Sequence, residues 1–164
     1  MSEQTLRSEM LLGSDALAHL RRSRVAVLGL GGVGSWCAEA LARAGVGALT
    51  LVDEDTVSES NINRQCCALH STVGLPKAEG MAARVRDINP ACEVTVRDMF
   101  VNADNLPELL AEPVDLVIDA IDSLNPKCGL IEALQQREIP FISSMGAALK
   151  TDPSKIRLQT LDQT

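Results

Sequence analysis

Short apolar runs alternate along the chain with longer segments in which hydrophobic residues recur at helical spacing. The short runs are bounded by glycine, proline or polar residues, and they predict β-strands at Val25–Leu28, Leu49–Val52, Glu93–Val96, Val114–Ala120 and Ile139–Ser143. The longer segments predict helices, one from Ser14 or Asp15 through Arg22 and others at Gly32–Ala44, Pro76–Ile88, Asn105–Ala111 and Pro126–Arg137. This alternation implies right-handed crossovers and a doubly wound, mostly parallel α/β sheet with helices on both faces.

One further segment near the end of the chain alternates polar and apolar residues. It spans Lys155–Leu161, and its pattern predicts another strand. No internal repeat or low-complexity linker divides the 164 residues, and this length suits one domain with its own core. We therefore expect residues 1–164 to form a single domain.

The composition narrows the functional classes. Aromatic residues make up only 2% of the chain, so the core must be aliphatic, which suits a buried parallel sheet. The formal net charge of −7 argues against a broad surface for nucleic acid. The five cysteines, at positions 37, 66, 67, 92 and 128, form no CxxC pair, which excludes a paired zinc site within these residues and favours a reducing compartment. Neither a signal peptide nor an apolar run of about 20 residues is present, so we expect a soluble, cytoplasmic protein with no membrane partner.

A glycine-rich turn follows the first predicted strand. Gly29, Gly31 and Gly34 satisfy the spacing GxGxxG, in which the first glycine permits a tight turn, the second lets the backbone approach a phosphate, and the third lets helix and strand pack closely. Asp53 ends the next predicted strand, where a carboxylate can accept hydrogen bonds from ribose hydroxyls. This order predicts a nucleotide-binding, Rossmann-like domain in preference to a turn that is tight only for packing.

Hydride transfer is one chemistry that such a turn can serve. A dehydrogenase needs a group that shuttles a proton, usually His, Lys or Tyr. The chain has no Tyr, and neither His19, on the N-terminal helix, nor His70, in a loop, lies at the carboxyl end of a predicted strand. The sequence therefore disfavours a dehydrogenase.

The polar residues beyond the second strand fit a triphosphate instead. Four side chains there can donate hydrogen bonds to phosphate oxygens: Asn61, Arg64, Gln65 and Lys77. Asp119 and Asp122 lie at the end of the fourth predicted strand, where one carboxylate could hold Mg²⁺. Because an arginine, a lysine and a metal ion stabilise the charge that grows on a leaving pyrophosphate, this set predicts attack at the α-phosphate of ATP.

The ordered motifs GLGGVGS, LVDEDTVSESNINRQ, VGLPKAE and VIDAIDS resemble the ubiquitin-activating-like (ThiF/MoeB/HesA) superfamily of ATP-dependent adenylating enzymes. The resemblance covers nearly the whole chain. It implies that Gly31 and Gly32 approach the ATP phosphates and that Asp53 binds the ribose. It also assigns to the phosphates the polar side chains of the SNxxRQ segment, which are Asn61, Arg64 and Gln65.

The same resemblance supplies three further roles. Lys77 matches the lysine at the start of the helix after the arginine segment, and Asp122 matches the acid that handles Mg²⁺ during adenylation. Arg7, within RSEMLLG, is similar to an N-terminal arginine that reaches the ATP of a partner subunit. The resemblance therefore implies a homodimer.

Within the superfamily, the sequence is most similar to the bacterial tRNA threonylcarbamoyladenosine dehydratase branch, through SEMLLGSDAL, GGVGSWCAEALARAGVG, RDINP, DAIDSLNPK and SSMGAALKTDPSKI. This implies adenylation of the threonyl carboxylate of a modified tRNA adenosine, then ring closure with release of AMP. It also implies that the family's C-terminal region lies beyond position 164. The sequence departs from the branch at Cys66 and Cys67, where an isoleucine–histidine pair is common, and at Ala148 and Leu149, where a glycine-rich turn is typical.

Two alternatives stay open. A sibling enzyme would adenylate the C-terminal glycine of a ubiquitin-like sulfur carrier at the same ATP site, although such siblings usually carry two CxxC zinc pairs. The chain could instead be an ATP-binding fragment without turnover. A sulfur-transfer partner would need Cys66 or Cys67 as the acceptor, whereas buried thiols are usually inert.

Overall fold

A computed structural model of the chain describes residues 3–102, 104–147 and 149–163. Its sheet has five strands in the order β3-β2-β1-β4-β5, and all of the pairings between neighbours are parallel. The strands are β1 (Arg24–Leu28), β2 (Ala48–Val52), β3 (Glu93–Arg97), β4 (Leu116–Asp119) and β5 (Phe141–Ser143). The helices are α1 (Leu6–Leu12), α2 (Ser14–Leu20), α3 (Gly34–Ala44), α4 (Lys77–Ile88), α5 (Leu106–Leu109) and α6 (Leu124–Gln136).

The two faces of the sheet are covered by different helices. Val25 and Val27 of β1 pack in a cluster with α3 and α4, whereas Ala26 and Leu28 of the same strand pack with α5 and α6. Alternate residues of a strand point to opposite faces, so a strand that is apolar throughout must be buried on both sides. The predicted doubly wound α/β fold with helices on both faces is confirmed.

The N-terminal region contains a helix that the sequence did not reveal. Helix α1 precedes the predicted one, and Gly13, with φ of +85°, separates it from α2. No residue of α1 is buried, whereas Leu17 of α2 is 1% exposed. Because α1 has no core-facing stripe, its sequence carries no strong helical periodicity.

The strand predicted at Lys155–Leu161 is wrong. The structure has 3₁₀ turns at Pro153–Lys155 and Leu161–Gln163, with irregular backbone between them. Ile156 and Leu158 are 77% and 92% exposed. Alternation favours a strand only where a neighbouring strand supplies hydrogen bonds and a core buries one face, and neither is present here.

None of the helices in the described ranges is both long and apolar enough to cross a bilayer.

Candidate nucleotide site

A cavity of about 560 Å³ opens at the carboxyl ends of the strands. The chain runs from β1 through β2 to β3 on one side of the sheet and then crosses to β4 on the other side of β1. Open α/β sheets bind ligands at such a reversal of strand order. Nine of the residues predicted from the sequence line this cavity: Gly29, Gly31, Gly32, Asp53, Asn61, Arg64, Gln65, Lys77 and Asp122.

Two glycines make the turn between β1 and α3 possible. Gly29 has φ of +86°, and a side chain there would place its Cβ 2.8 Å from the carbonyl oxygen of Ala120. A Cβ on Gly34 would lie 1.8 Å from the carbonyl oxygen of Gly29, which no rotamer can relieve. At Gly31 and Gly32 a Cβ would meet nothing closer than 3.6 Å, and both residues line the cavity. Gly34 does not line the cavity; it sets the approach of helix to strand.

Asp53 is held rigidly beside this turn. Its Oδ2 accepts a hydrogen bond from the backbone N–H of Leu30 at 2.6 Å, and its Oδ1 accepts one from the N–H of Asp55 at 2.9 Å. The side chain is only 9% exposed. A carboxylate fixed in this way at the end of β2 can still accept from hydroxyl groups through its remaining lone pairs.

Arg64 belongs to a polar segment that lines the same cavity as Asp53. Its Nη1 donates to the carbonyl of Ser60 at 2.9 Å and to Asn63 Oδ1 at 3.0 Å. Asn61 Oδ1 accepts from the N–H of Ser58 at 3.0 Å, so the Asn61 amide also stabilises its own turn. In the described part of the chain, the remaining guanidinium N–H groups of Arg64 have no acceptor, which leaves them available to an anion.

Gln65 carries an unsatisfied polar atom. The residue is 6% exposed, and its Oε1 has no hydrogen-bond partner among the described residues. Its Nε2 is 4.0 Å from the position that a Cβ on Gly31 would occupy. An unpaired buried amide oxygen costs about 1–3 kcal/mol, and because Oε1 can only accept, it suits a hydroxyl or water donor at the glycine turn. The Nε2 group is the part of this amide that can donate to a phosphate oxygen.

Lys77 begins α4 and is 6% exposed. Its Nζ donates to Asp55 Oδ2 at 2.6 Å and lies 3.9 Å from Asp53 Oδ1. The sequence predicted the lysine but not its partner, because the spacing of 22 residues between Asp55 and Lys77 carries no local signal. A bound phosphate would compete with Asp55 for this ammonium group.

The two acids at the end of β4 have different environments. Asp119 is fully buried and pairs with Lys127 Nζ at 2.7 Å, so of the two it is the less suited to hold a metal ion. Asp122 is exposed and lines the cavity. No group of three His, Cys, Asp or Glu side chains suited to a metal ion occurs in the described ranges. A Mg²⁺ ion held by Asp122 would therefore take its other ligands from phosphate oxygens and water, which is its usual preference.

A buried polar cluster lies behind the arginine segment. Cys66 Sγ is 2.7 Å from Glu39 Oε2, and Arg43 and Arg84 both form ion pairs with the Glu39 carboxylate. The hydrogen bond from Arg84, the largest cause, lowers the pKa of Glu39 to about 2. Burial, reinforced by the hydrogen bond to Glu39, raises the pKa of the Cys66 thiol to about 11. Burial likewise raises the pKa of Cys67, so both thiols are protonated at neutral pH and are poor nucleophiles.

Several residues to which the sequence analysis gave a possible functional role do not line this cavity. Arg7 is exposed on α1 and does not line it. His19 on α2 and His70 in a 3₁₀ turn are exposed and also lie away from it. Leu149 is fully exposed, and Ala148 lies outside the described residues.

Residues 4–162 match the model of the ThiF family. The chain is 48% identical over 164 residues to the tRNA threonylcarbamoyladenosine dehydratase of Bacillus subtilis, a match that covers 100% of this chain and 65% of that protein. It is 38% identical over 138 residues to the molybdopterin-synthase adenylyltransferase of Escherichia coli, which covers 84% of this chain and 54% of that protein. The crystal structure of the E. coli tRNA N6-threonylcarbamoyladenosine dehydratase in complex with ATP superposes with a TM-score of 0.96 and 46% identity, covering 99% of this chain and 67% of that one. The chain thus spans about two thirds or less of the length of these proteins.

Proposed function

Because this chain belongs to the ThiF family, we propose that it binds ATP and uses it to adenylate a carboxylate. One observation carries the proposal. A glycine turn, a rigid ribose-binding acid and two cations surround a single cavity at the switch point of the sheet. The likeness to a dehydratase structure in complex with ATP supports the same nucleotide for this chain.

The nucleotide is held from two sides. Asp53 accepts hydrogen bonds from the ribose hydroxyls. The backbone at Gly31 and Gly32, just before α3, binds the phosphates, because the unsatisfied N–H groups at the start of a helix attract anions. Arg64 and Lys77 donate to the terminal phosphates, with the amides of Asn61 and Gln65 beside them. When the triphosphate enters, Lys77 exchanges its hydrogen bond with Asp55 for one with a phosphate oxygen.

The reaction begins when a substrate carboxylate oxygen attacks the α-phosphorus. The bond between the α-phosphorus and the bridging oxygen breaks, and pyrophosphate leaves with its negative charge paired to Arg64 and Lys77. Asp122, which lines the cavity, would hold Mg²⁺, and that ion would neutralise phosphate charge when bound. The product is an acyl adenylate, whose AMP group leaves far more readily than oxide.

We assign the acyl substrate as the threonyl carboxylate of threonylcarbamoyladenosine in tRNA, in the cytoplasm. A nucleophilic atom of the same modified base then closes a ring onto the activated carbonyl carbon and expels AMP. Overall, the modified adenosine loses the elements of one water molecule, and one ATP is converted to AMP and pyrophosphate. The support is the 48% identity to a dehydratase of this type over the full chain.

We further propose that the protein acts as a homodimer in which Arg7 reaches the ATP of the partner subunit. Arg7 lies outside the cavity of its own chain. Helix α1, which carries it, also exposes Met10 and Leu11 at 80% and 83%, an unusual amount of apolar surface for a helix facing water only. Sedimentation should give a dimer that Leu11→Glu weakens.

A second candidate is adenylation of the C-terminal glycine of a ubiquitin-like sulfur carrier protein. The 38% identity to an adenylyltransferase favours it. The ATP site would be unchanged, and only the acyl substrate would differ. Sulfur transfer from a partner protein onto Cys66 or Cys67 is disfavoured, because both thiols are buried and have raised pKa values.

Release of AMP from ATP in the presence of tRNA tests the proposal. We expect tRNA that carries threonylcarbamoyladenosine to stimulate AMP release, and unmodified tRNA not to. Arg64→Ala and Asp122→Ala should abolish it, whereas Arg86→Ala and Asp87→Ala, exposed on α4, serve as matched controls and should leave it intact. Stimulation by a sulfur carrier alone would establish the second candidate. ATP binding without AMP release from any substrate would make the chain a binding fragment without turnover.

A further inference from the structure

The first turn of α3 holds the arginine segment through two consecutive residues. Ser35 Oγ donates to the carbonyl of Gly31 at 2.6 Å and accepts from the N–H of Cys66 at 2.9 Å. Trp36 Nε1 donates to the carbonyl of Arg64 at 2.9 Å. Two side chains therefore tie the glycine turn, the helix and the arginine segment to one another across the edge of the cavity.

The position of Trp36 is not explained by core packing. Its side chain is 54% exposed, and it is the only tryptophan in the chain. A large aromatic residue usually contributes by burying its ring, whereas here the indole N–H makes the specific contact. Trp36 thus acts mainly as a hydrogen-bond donor on a rigid ring with only two side-chain torsions.

Pinning the backbone of Arg64 also places its side chain. The Arg64 Cγ is 3.6 Å from the point that a Cβ on Gly32 would occupy, so the stem of the arginine passes over the glycine turn. The carbonyl that Trp36 holds belongs to the same residue, so a shift of that peptide moves the guanidinium group directly. A charge-stabilising group is effective when its supporting contacts fix it before the ligand arrives.

We propose that Ser35 and Trp36 are positioning residues that hold Arg64 and Gln65 opposite the glycine turn, so that the two segments form one preorganised phosphate clamp. This inference rests on the proposed ATP-binding function, because Arg64 is the group through which Trp36 acts. Ser35 is fully buried and supports the fold as well, so Trp36 is the residue that allows a clean test.

The test is a double-mutant cycle on ATP affinity, measured by calorimetry with the wild type, Trp36→Phe, Arg64→Ala and the double variant. Trp36→Phe keeps an aromatic ring, although a smaller one, and removes the N–H donor. We expect it to weaken ATP binding by about three- to tenfold, the usual effect of one hydrogen bond. In the Arg64→Ala background the same substitution should change the affinity less than twofold, because the group that it positions is gone.

Thermal unfolding of each variant is measured in parallel, and Trp36→Leu, which also lacks the donor, repeats the cycle with an aliphatic side chain. Equal weakening in both backgrounds would overturn the inference, since Trp36 would then support the pocket independently of Arg64. An unchanged affinity in the single variant would overturn it as well. Both results leave ATP binding by the wild type intact. A wild type that does not bind ATP would overturn the proposed function together with the inference.

Discussion

Replacing Lys127 by methionine should destabilise the fold because it removes one partner of a buried ion pair. The Lys127 side chain is 5% exposed, and that of Asp119 is not exposed at all. Lys127 Nζ donates to Asp119 Oδ2 at 2.7 Å, to the carbonyl of Ser144 at 3.0 Å and to Ser143 Oγ at 3.3 Å. These contacts join α6 to the ends of β4 and β5, next to the cavity.

The size of this loss of stability depends on the hydrogen bonds that Asp119 retains. Removal of one partner from a buried pair typically costs about 3–5 kcal/mol, because the other charge stays buried without compensation. Asp119 still accepts from Ser143 Oγ at 2.6 Å and from the N–H of Ile121 at 3.1 Å, so we expect the lower end of that range. For a domain of this size, the range corresponds to a fall in melting temperature of about 6–20 °C.

Urea unfolding at pH 7, followed by circular dichroism, measures this cost. The double variant Lys127→Met/Asp119→Asn removes both charges; the amide oxygen can still accept from the N–H of Ile121, and the amide NH₂ can donate to Ser143 Oγ, so it should recover most of the loss. Lys155→Met is the matched control, since its pair with Asp152 is 3.8 Å long and exposed to solvent and should contribute little to stability. A Lys127→Met variant as stable as this control, or a double variant less stable than the single one, would refute the reasoning.

Three further predictions concern the glycine turn and the cluster behind it. Gly34→Ala should abolish ATP binding and lower the melting temperature, because its Cβ would overlap backbone at 1.8 Å, whereas Gly129→Ala in α6, with open space around it, should be neutral or stabilising in the same assays. Because the pKa of Glu39 is lowered to about 2, the Glu39 carboxylate stabilises the fold above pH 4.5, the ordinary pKa of a glutamate, and this stabilisation is lost as the pH falls toward about 2. Urea unfolding between pH 2 and 6 should show the loss, and Glu39→Gln should flatten that part of the plot of stability against pH. Alkylation at pH 8, followed by mass spectrometry, should modify the exposed Cys128 well before the buried Cys66, since burial and the hydrogen bond to Glu39 raise the pKa of Cys66 to about 11; modification of Cys66 as early as Cys128 would contradict the burial of that cluster.

The sequence predicted those parts of the structure that depend on local pattern. Apolar runs between turn residues located the strands of the sheet, and the glycine spacing with Asp53 located the cavity, because both signals reflect backbone constraints within a few tens of residues. The short alternating stretch at Lys155–Leu161 shows the limit of the method. Its alternating pattern is typical of a half-buried strand, but a strand forms only where a neighbouring strand supplies hydrogen bonds. The sequence does not show whether such a neighbour lies beside it.

The polar partnerships were not predictable, because they join residues far apart in the chain. The ion pair between Lys77 and Asp55 spans 22 residues, and the hydrogen bond from Trp36 to Arg64 spans 28. Asp119 looked equivalent to Asp122 in the sequence, yet a lysine on the next helix makes it a structural residue. Such assignments need the tertiary contacts that decide burial.

Calorimetric titration of the chain with ATP, alongside NAD and the Arg64→Ala variant, tests the central claim most directly. We predict that ATP binds the wild type, that Arg64→Ala weakens this binding by about 10- to 100-fold through the loss of charge-assisted hydrogen bonds, and that NAD does not bind. Binding of NAD but not ATP, or an ATP affinity that Arg64→Ala leaves unchanged, would contradict a cavity built to hold a triphosphate.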